Sequence, residues 1–352
     1  MNVYLLNKSL EIVDIIDSYK SLIWTTRYYE AGDFELYLPA SEKMLNVLKR
    51  DYYLVRESDM TQAMIIKNIQ ITTDIENGNY LIVTGKCLKS ILSRRIVWEQ
   101  TYLKGTVETG IRNLVTKNLI SSPIEERNIS NLILGAELGI SVRLSSQYTG
   151  DNVGEVVTKL CKKNDLGFDI LLDLDEKKFI FILYQGADRS FNQNVNPRVI
   201  FSNEFENLLT TTYVYNSDEF KNVAKVAGEG DGVYRKSATV GAGAGLDRYE
   251  IFVDARDVSS NDGEIDSDAY NSLLVEKGTE ALTGTVIKES IEGEVESNHT
   301  YKLNRDYFLG DVVEVVNEYG MSMTPRITEV IEVVDENGVS VIPTFSTGEE
   351  VE

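Results

Sequence analysis

The sequence predicts a β-rich α+β protein: two similar antiparallel β-barrel-like domains, an inserted α/β domain and a further small mixed segment. Three observations carry this reading. The first hundred residues alternate apolar and polar positions in short runs separated by polar turns. The pattern becomes helical near Thr106 and returns to short strands after Leu208. Two distant stretches, beginning at Asp51 and Asp306, repeat one order of features.

The first domain, residues 1–100, reads as strands at Val3–Leu6, Glu11–Asp17, Leu22–Tyr28, Phe34–Leu38, Tyr53–Arg56, Ala63–Thr72 and Tyr80–Thr84, and is expected to be completed by strands from 206–228. In the long sixth strand Ile65, Lys67, Ile69 and Ile71 form the more apolar face. Asn77-Gly78 then signals a hairpin, because Asn-Gly accepts the positive φ of a type I′ turn. One helix interrupts the meander, with Ser41 as N-cap and Met44, Leu45 and Leu48 on one face.

Residues 101–205 read as an α/β insert whose removal leaves the flanking β regions able to fold. Thr106 caps a helix carrying Val107, Ile111, Leu114 and Val115, and Asn152 caps another carrying Val153, Val156, Val157 and Leu160. Strands follow at Phe168–Leu172 and Phe179–Leu183. Residues 206–345 form the second β-barrel-like domain, with strands at Leu209–Tyr215, Val223–Ala227, Tyr249–Val253, Val312–Val316, Ile327–Val334 and Val339–Pro343 and a helical segment at 267–282. Residues 346–352 are an acidic tail.

The repeat is specific in its order. Asp51-Tyr52-Tyr53-Leu54 precedes a long strand, then Asp74-Ile75-Glu76-Asn77-Gly78 and a return strand. Asp306-Tyr307-Phe308-Leu309 precedes the strand with Ile327, Val330 and Ile331, then Asp335-Glu336-Asn337-Gly338 and a return strand. Hairpins reuse Asn-Gly for stereochemical reasons, so the turn alone proves nothing; the order of features points to a duplication. Three such chains in a ring would present six similar units.

The chemistry in the sequence is sparse. With 35 basic against 56 acidic residues and a net charge of −21, the chain is unsuited to neutralising nucleic-acid phosphates, although an acidic wall would let DNA slide past. Solubility alone also accounts for such an excess. Cys87 and Cys161 lie outside any CxxC spacing and read as buried free thiols. His299 is the single histidine, which excludes a multi-histidine metal site and leaves a Ser/His/Asp triad one base at most.

Val240-Gly241-Ala242-Gly243-Ala244-Gly245 resembles a nucleotide loop, but a strand follows it where a helix is needed, so it reads as a hairpin tip; Gly228-Glu229-Gly230-Asp231-Gly232 reads the same way. Asn261 to Asp268 lacks the ligand order of a calcium loop and reads as an acidic cap for the next helix. No catalytic, cofactor-binding or metal residues are assigned and no cofactor is expected. No apolar run reaches the roughly 18 residues of a membrane span, and the start lacks a basic leader, so synthesis and folding in a cytoplasm are expected.

The stretch Ser21-Leu22-Ile23-Trp24-Thr25-Thr26-Arg27-Tyr28-Tyr29-Glu30-Ala31-Gly32-Asp33-Phe34-Glu35-Leu36 resembles the opening signature of a siphophage tail-protein family, the ReqiPepy-six Gp-thirty-seven-like family. Leu81 to Lys86, Ile91 to Trp98, Pro325 to Val330 and Pro343 to Phe345 resemble it too, while residues between about 120 and 300 resemble it weakly. The resemblance implies a homotrimeric tail hub, related to baseplate hubs, that closes the tail tube beneath the distal tail protein, meets tip or receptor-binding proteins and surrounds a channel for DNA or a tape-measure protein. It implies a virion component assembled in the host cytoplasm, and it carries over no catalytic residues. Longer relatives continue into lysin or receptor-binding domains, whereas this chain stops at Glu352. Trp24, Arg27, Asp33, Arg94, Arg95 and Trp98 are conspicuous, and read as core aromatics and structural ion pairs. The alternatives from other classes are a tail-associated glycan hydrolase acting on the host wall and a carbohydrate-binding adhesin.

Overall fold

The computed structural model describes residues 1–74, 78–295 and 300–346. Asn77, His299 and the acidic tail beyond Ser346 fall outside them. The first stretch forms β1 (Val3–Leu6), β2 (Ile12–Ile16), β3 (Ser21–Arg27), β4 (Asp33–Pro39), α1 (Glu42–Val47), β5 (Tyr53–Arg56), β6 (Asp59–Asp74) and β7 (Gly78–Cys87). Ser41 caps α1 as expected, accepting from the Met44 N–H at 3.2 Å. The helix is only a lid, however: none of its own residues is buried, and Leu48, just past its end, is the one that enters the core.

β6 departs from the expected alternation. A bulge between Ile66 and Asn68 places two residues opposite one register step of β7, which reverses which side faces which core. Ile65 therefore packs on one side of the sheet with Leu6 and Val55, whereas Ile69 packs on the other with Met64 and Ile66. The single apolar face drawn through Ile65, Ile69 and Ile71 is split, because one extra residue shifts a period-two pattern by half a period.

Residues 101–205 supply β8 (Thr101–Thr106), α2 (Val107–Val115), β9 (Leu132–Leu134), β10 (Arg143–Tyr148), α3 (Val153–Lys163), β11 (Gly167–Asp173), β12 (Lys178–Tyr184) and β13 (Ile200–Ser202). Thr106 accepts from the Thr109 N–H and Asn152 from those of Gly154 and Glu155, so both expected caps satisfy donors that a helix start leaves open. The predicted apolar stripes of α2 and α3 are buried. They join β11, β12 and the buried side chains Leu6, Tyr53, Val55, Ala63 and Ile65 in one core. The buried side chains from Leu103 to Leu183 thus share their core with the first strands, whereas Val199 and Phe201, next to and within β13, pack in a separate core with Tyr307 and Phe345.

The remainder forms β14 (Thr212–Asn216), β15 (Val223–Ala227), β16 (Ser237–Gly241), β17 (Glu250–Asp254), α4 (Ser267–Thr283), β18 (Lys288–Glu292), β19 (Glu314–Val316), β20 (Ser322–Met323), β21 (Arg326–Asp335) and β22 (Gly338–Ser346). Asp266 caps α4 through the Asp268 and Ala269 N–H groups, as the acidic-loop reading expects. Two cores lie here: β15 to β17 with α4, and a second around Phe201, Ile291, Tyr307, Ile327 and Phe345. The glycine run is not a hairpin tip. β16 lies antiparallel and β17 parallel to β15, on its opposite edges, so residues 242–249 cross from one edge to the other. Asn222 fastens the crossing, donating to the Asp247 carbonyl and accepting from the Tyr249 N–H. The other run, Gly228 to Gly232, does lie in the hairpin connection from β15 to β16.

Eleven strands from both halves make one sheet in the order β14, β18, β22, β21, β3, β4, β7, β6, β5, β1, β2. Strands from 206–228 were expected to complete the first group, but β14 pairs with β18 and β15 with β16 and β17. β21 takes that place, against β3. Among the described residues no pairing closes either group on itself.

Candidate functional site: the joint between the two halves

β3 and β21 pair antiparallel from Arg27 opposite Glu329 to Leu22 opposite Val334. The Arg27 guanidinium reaches Glu329 Oε2 at 2.5 Å, Asp33 Oδ2 at 2.7 Å and the Ala31 carbonyl at 3.1 Å, which ties the joint to the turn into β4. On the neighbouring position Arg56 bonds Glu332 at 2.8 Å and lies over the Trp24 ring at 4.5 Å. A planar guanidinium can pair with a carboxylate along its edge while stacking on an indole face, which an ammonium cannot do as well.

Tyr28 pins three parts of the chain together. Its N–H donates to the Thr328 carbonyl at 2.8 Å; its hydroxyl donates to the Asp165 carbonyl at 3.1 Å and accepts from the Gly186 N–H at 3.2 Å. Its ring lies so close to Gly167 and Gly310 that a Cβ at either would stand 2.3 Å from a ring carbon, and Gly310 also has φ +96°. Burial pushes the Tyr28 phenol above its ordinary range, so it remains a neutral donor. Beside the joint is a cleft of about 440 Å³ lined by Arg27, Arg56, Lys89, Asp169, Asp311 and Glu332 among others. Its cations are committed internally: Lys89 donates to the Arg27 carbonyl at 2.5 Å, and Arg189 pairs with Asp311 at 2.6 Å.

The strands on either side of this joint repeat. Asp51 N–H donates to the Ile66 carbonyl and Ile66 N–H to the Tyr52 carbonyl; Gly310 N–H donates to the Ile327 carbonyl and Ile327 N–H to the Asp311 carbonyl. Immediately after Ile66 and after Ile327 comes the same bulge, and the two ladders then run to Asp74 opposite Gly78 and Asp335 opposite Gly338. Both glycines have positive φ, +85° and +124°. The outer strands match as well: Phe34 opposes Gly85 as Ile291 opposes Phe345, and Trp24 opposes Phe34 as Tyr213 opposes Ile291. The series β14, β18, β22, β21 is therefore a second copy of β3, β4, β7, β6, set beside it in the sheet. The expected starting point shifts, since Asp51 corresponds to Gly310 and not to Asp306. Tyr307 instead enters the core beside Phe201.

Trp24, Arg27 and Asp33 thus meet at the joint. Arg94 belongs to a different set of contacts, reaching Asp51 at 3.3 Å next to Lys67. Arg95 donates to the Arg127 carbonyl, and Trp98 is exposed under the Arg127 guanidinium at 4.9 Å. Cys87 and Cys161 are buried free thiols. Tyr28, Arg56, Gly310 and Glu332 were not singled out by sequence, and only the second half of the repeat, placed in register on the first, could have pointed to Gly310.

This fold has solved counterparts among tail proteins. The chain is similar to the 43 kDa tail protein of prophage MuSo2 from Shewanella oneidensis (11% identity, 99% of each chain, TM-score 0.60). It is also similar to a tail protein from Neisseria meningitidis MC58 (13% identity, 98% of this chain and 95% of that one, TM-score 0.58). A third, prophage tail protein gp18 from Listeria monocytogenes EGD-e, has 11% identity, 100% and 96% coverage and a TM-score of 0.53. At such identities the likeness is one of fold, and the class it defines is the phage tail-protein fold. Residues 2–346 match the family described as Siphovirus ReqiPepy6 Gp37-like protein, and the chain belongs to that family. No curated protein matches.

Proposed function

We propose that this protein is a structural hub subunit of a phage tail tip, three copies of which form a ring around an axial channel. The ring would join the tail tube or distal tail protein to tip or receptor-binding proteins and leave a path for DNA or a tape-measure protein. In this reading the polypeptide works as a scaffold and not as an enzyme, and takes up its place in the virion after assembly in the host cytoplasm. Its organisation would be a first β unit over 1–100, an insert over 101–205 and a second β unit over 206–345. One observation carries the proposal: a tail-protein fold in which one chain holds the same four-strand ladder twice, side by side in one sheet. A subunit that already places two equivalent ladders in a row needs only rotational repetition to continue them. Mass measurement of the protein in solution and in isolated tails, with a hydrolysis assay on purified cell wall, tests this. Three chains per tail without hydrolysis are expected; a single copy per tail, or cell-wall cleavage by the chain, overturns it.

A further inference from the structure

One region of this acidic chain carries the opposite charge. Asp51 draws four cations to a single carboxylate: Lys67 at 2.7 Å, Arg94 at 3.3 Å, Arg50 at 3.4 Å and Lys8 at 4.0 Å. Among the described residues these cations pair with no other acid. The cluster continues from Arg94, whose carbonyl accepts from Arg95 Nη1 at 3.0 Å, while Arg95 Nε donates to the Arg127 carbonyl at 3.0 Å. Arg127 in turn donates to the Ile96 carbonyl and to Asn118 Oδ1 and lies over the Trp98 ring. Neither Arg95 nor Arg127 has a carboxylate partner among the described residues. Burial, and the charge of Arg95 beside it, push the Arg127 guanidinium below its ordinary range. Six cations thus share one carboxylate in a chain with a net charge of −21.

The internal repeat shows what the fold itself requires at this place. In the register of the two ladders Arg50, Asp51 and Lys67 correspond to Leu309, Gly310 and Thr328. The second ladder keeps the same backbone bonds and the same bulge without any of the three charges. Asp51 even holds φ +62°, a conformation that its equivalent meets with glycine. The strands therefore do not need this cluster, and a guanidinium has five N–H donors, most of them left over after one contact to Asp51.

Apolar surface adjoins the charge: Trp98 is 56% exposed and Ile96 41%. Tryptophan and arginine together are the side chains that carry most binding energy in protein interfaces. A nucleic-acid backbone suits the place less well, because Glu99, Glu125 and Glu126 are exposed and adjacent in sequence to Trp98 and Arg127, and the chain as a whole repels phosphates. We propose that this surface docks an acidic segment of a partner protein, whose carboxylates meet Lys8, Arg50, Arg94 and Arg95 and whose apolar side chain covers Trp98 and Ile96. The proposal goes beyond the hub reading and does not depend on the ring. Charges arranged in this way steer the encounter and fix its orientation, and the apolar centre supplies affinity.

Trp98 itself reports the contact. Trp24, the other of the two tryptophans, is 1% exposed, so acrylamide quenching of the protein's fluorescence reads Trp98. The probes are a short oligoglutamate peptide with a central leucine and a single-stranded oligonucleotide of equal charge. The peptide is expected to protect Trp98 saturably, with the protection weakening as salt is raised. Lys8→Glu with Arg50→Glu, both exposed, is expected to weaken peptide binding about tenfold or more while leaving circular dichroism unchanged. Lys225→Glu with Lys288→Glu changes the net charge equally at exposed positions on β15 and β18, and is expected to leave binding within about twofold. Equal loss in the two double variants, or no protection of Trp98 by the peptide, overturns the docking surface. Protection by the oligonucleotide as tight as that by the peptide overturns the acidic protein as occupant and assigns nucleic acid in its place. A multi-chain mass of the protein alone that is lost in Lys8→Glu with Arg50→Glu places a second copy on this surface and overturns the proposal as well.

Discussion

Arg27 and Glu329 face each other across β3 and β21 with Nε and Oε2 2.5 Å apart, joining residues from opposite ends of the chain. Their side chains are 28% and 22% exposed, so water screens the pair only in part. Groups in direct contact couple by about 0.5–3 kcal/mol in double-mutant cycles. Arg27→Ala is expected to cost more than Glu329→Ala, because Arg27 also holds Ala31 and Asp33. Urea unfolding of the two single variants and the double variant checks this; strictly additive costs would mean that the joint is held by its backbone ladder alone.

The Arg56 and Glu332 pair should respond differently, since Arg56 is almost fully buried beneath Trp24. Removing one partner strands the other charge, at a cost of about 3 kcal/mol, the low end of the range for buried pairs because Glu332 is still partly wet. Glu332→Leu alone is expected to be less stable than Glu332→Leu combined with Arg56→Met, which removes both charges and keeps the volume. A double variant at least as unstable as the single one would show that the stack on Trp24, and not the ion pair, is what Arg56 supplies.

Tyr28 and its glycines give a steric prediction. Gly310→Ala must displace a buried ring 2.3 Å away and also hold alanine at φ +96°, and overpacking of this kind costs about 1–3 kcal/mol before backbone strain is added. Gly284→Ala, at the end of α4 with its nearest neighbour 3.4 Å away and an ordinary φ, is expected to be neutral within about 0.5 kcal/mol. Thermal unfolding of both variants decides; equal midpoints would mean that the ring gives way freely.

Much of this architecture could be read in the sequence because it is local. Thr106, Asn152 and Ser41 cap helices where a side-chain oxygen precedes an apolar stripe, and β5 and the β21–β22 hairpin fall where β-branched and aromatic residues alternate between turn residues. What escaped was non-local. A bulge such as that at Lys67 leaves composition unchanged while reversing the faces beyond it. The polar strand Arg143–Tyr148 is strand only because β8 pairs with it, and β18, KESIE, has one inward apolar residue, Ile291. The joint was half visible: Trp24, Arg27 and Asp33 stand out in their own stretch, but Glu329 and Glu332 are ordinary strand acids until β21 is laid against β3.

One contact between the insert and α4 should make stability depend on pH. Tyr148 donates to Glu280 Oε1 at 3.0 Å, and burial, outweighing the nearby charges of Lys277, Lys159 and Lys163, pushes the Glu280 carboxyl above its ordinary 4.5. Burial and the same carboxylate push the Tyr148 phenol well up, so it stays a donor throughout. The folded protein then keeps a proton on Glu280 over a pH window in which the unfolded chain has released it. Native binding of the extra proton makes the slope of unfolding free energy against pH negative in that window: the contribution is fully present below 4.5 and is lost as pH rises through the raised folded value. Glu280→Gln keeps an uncharged acceptor for Tyr148 and cannot titrate. Its stability relative to the unsubstituted protein is therefore expected to improve as pH is raised from about 4 to about 8, with the other carboxylates cancelling in the difference. Denaturant unfolding of both proteins across that range checks it, and a difference that stays constant with pH would mean that Glu280 is already ionised in the fold.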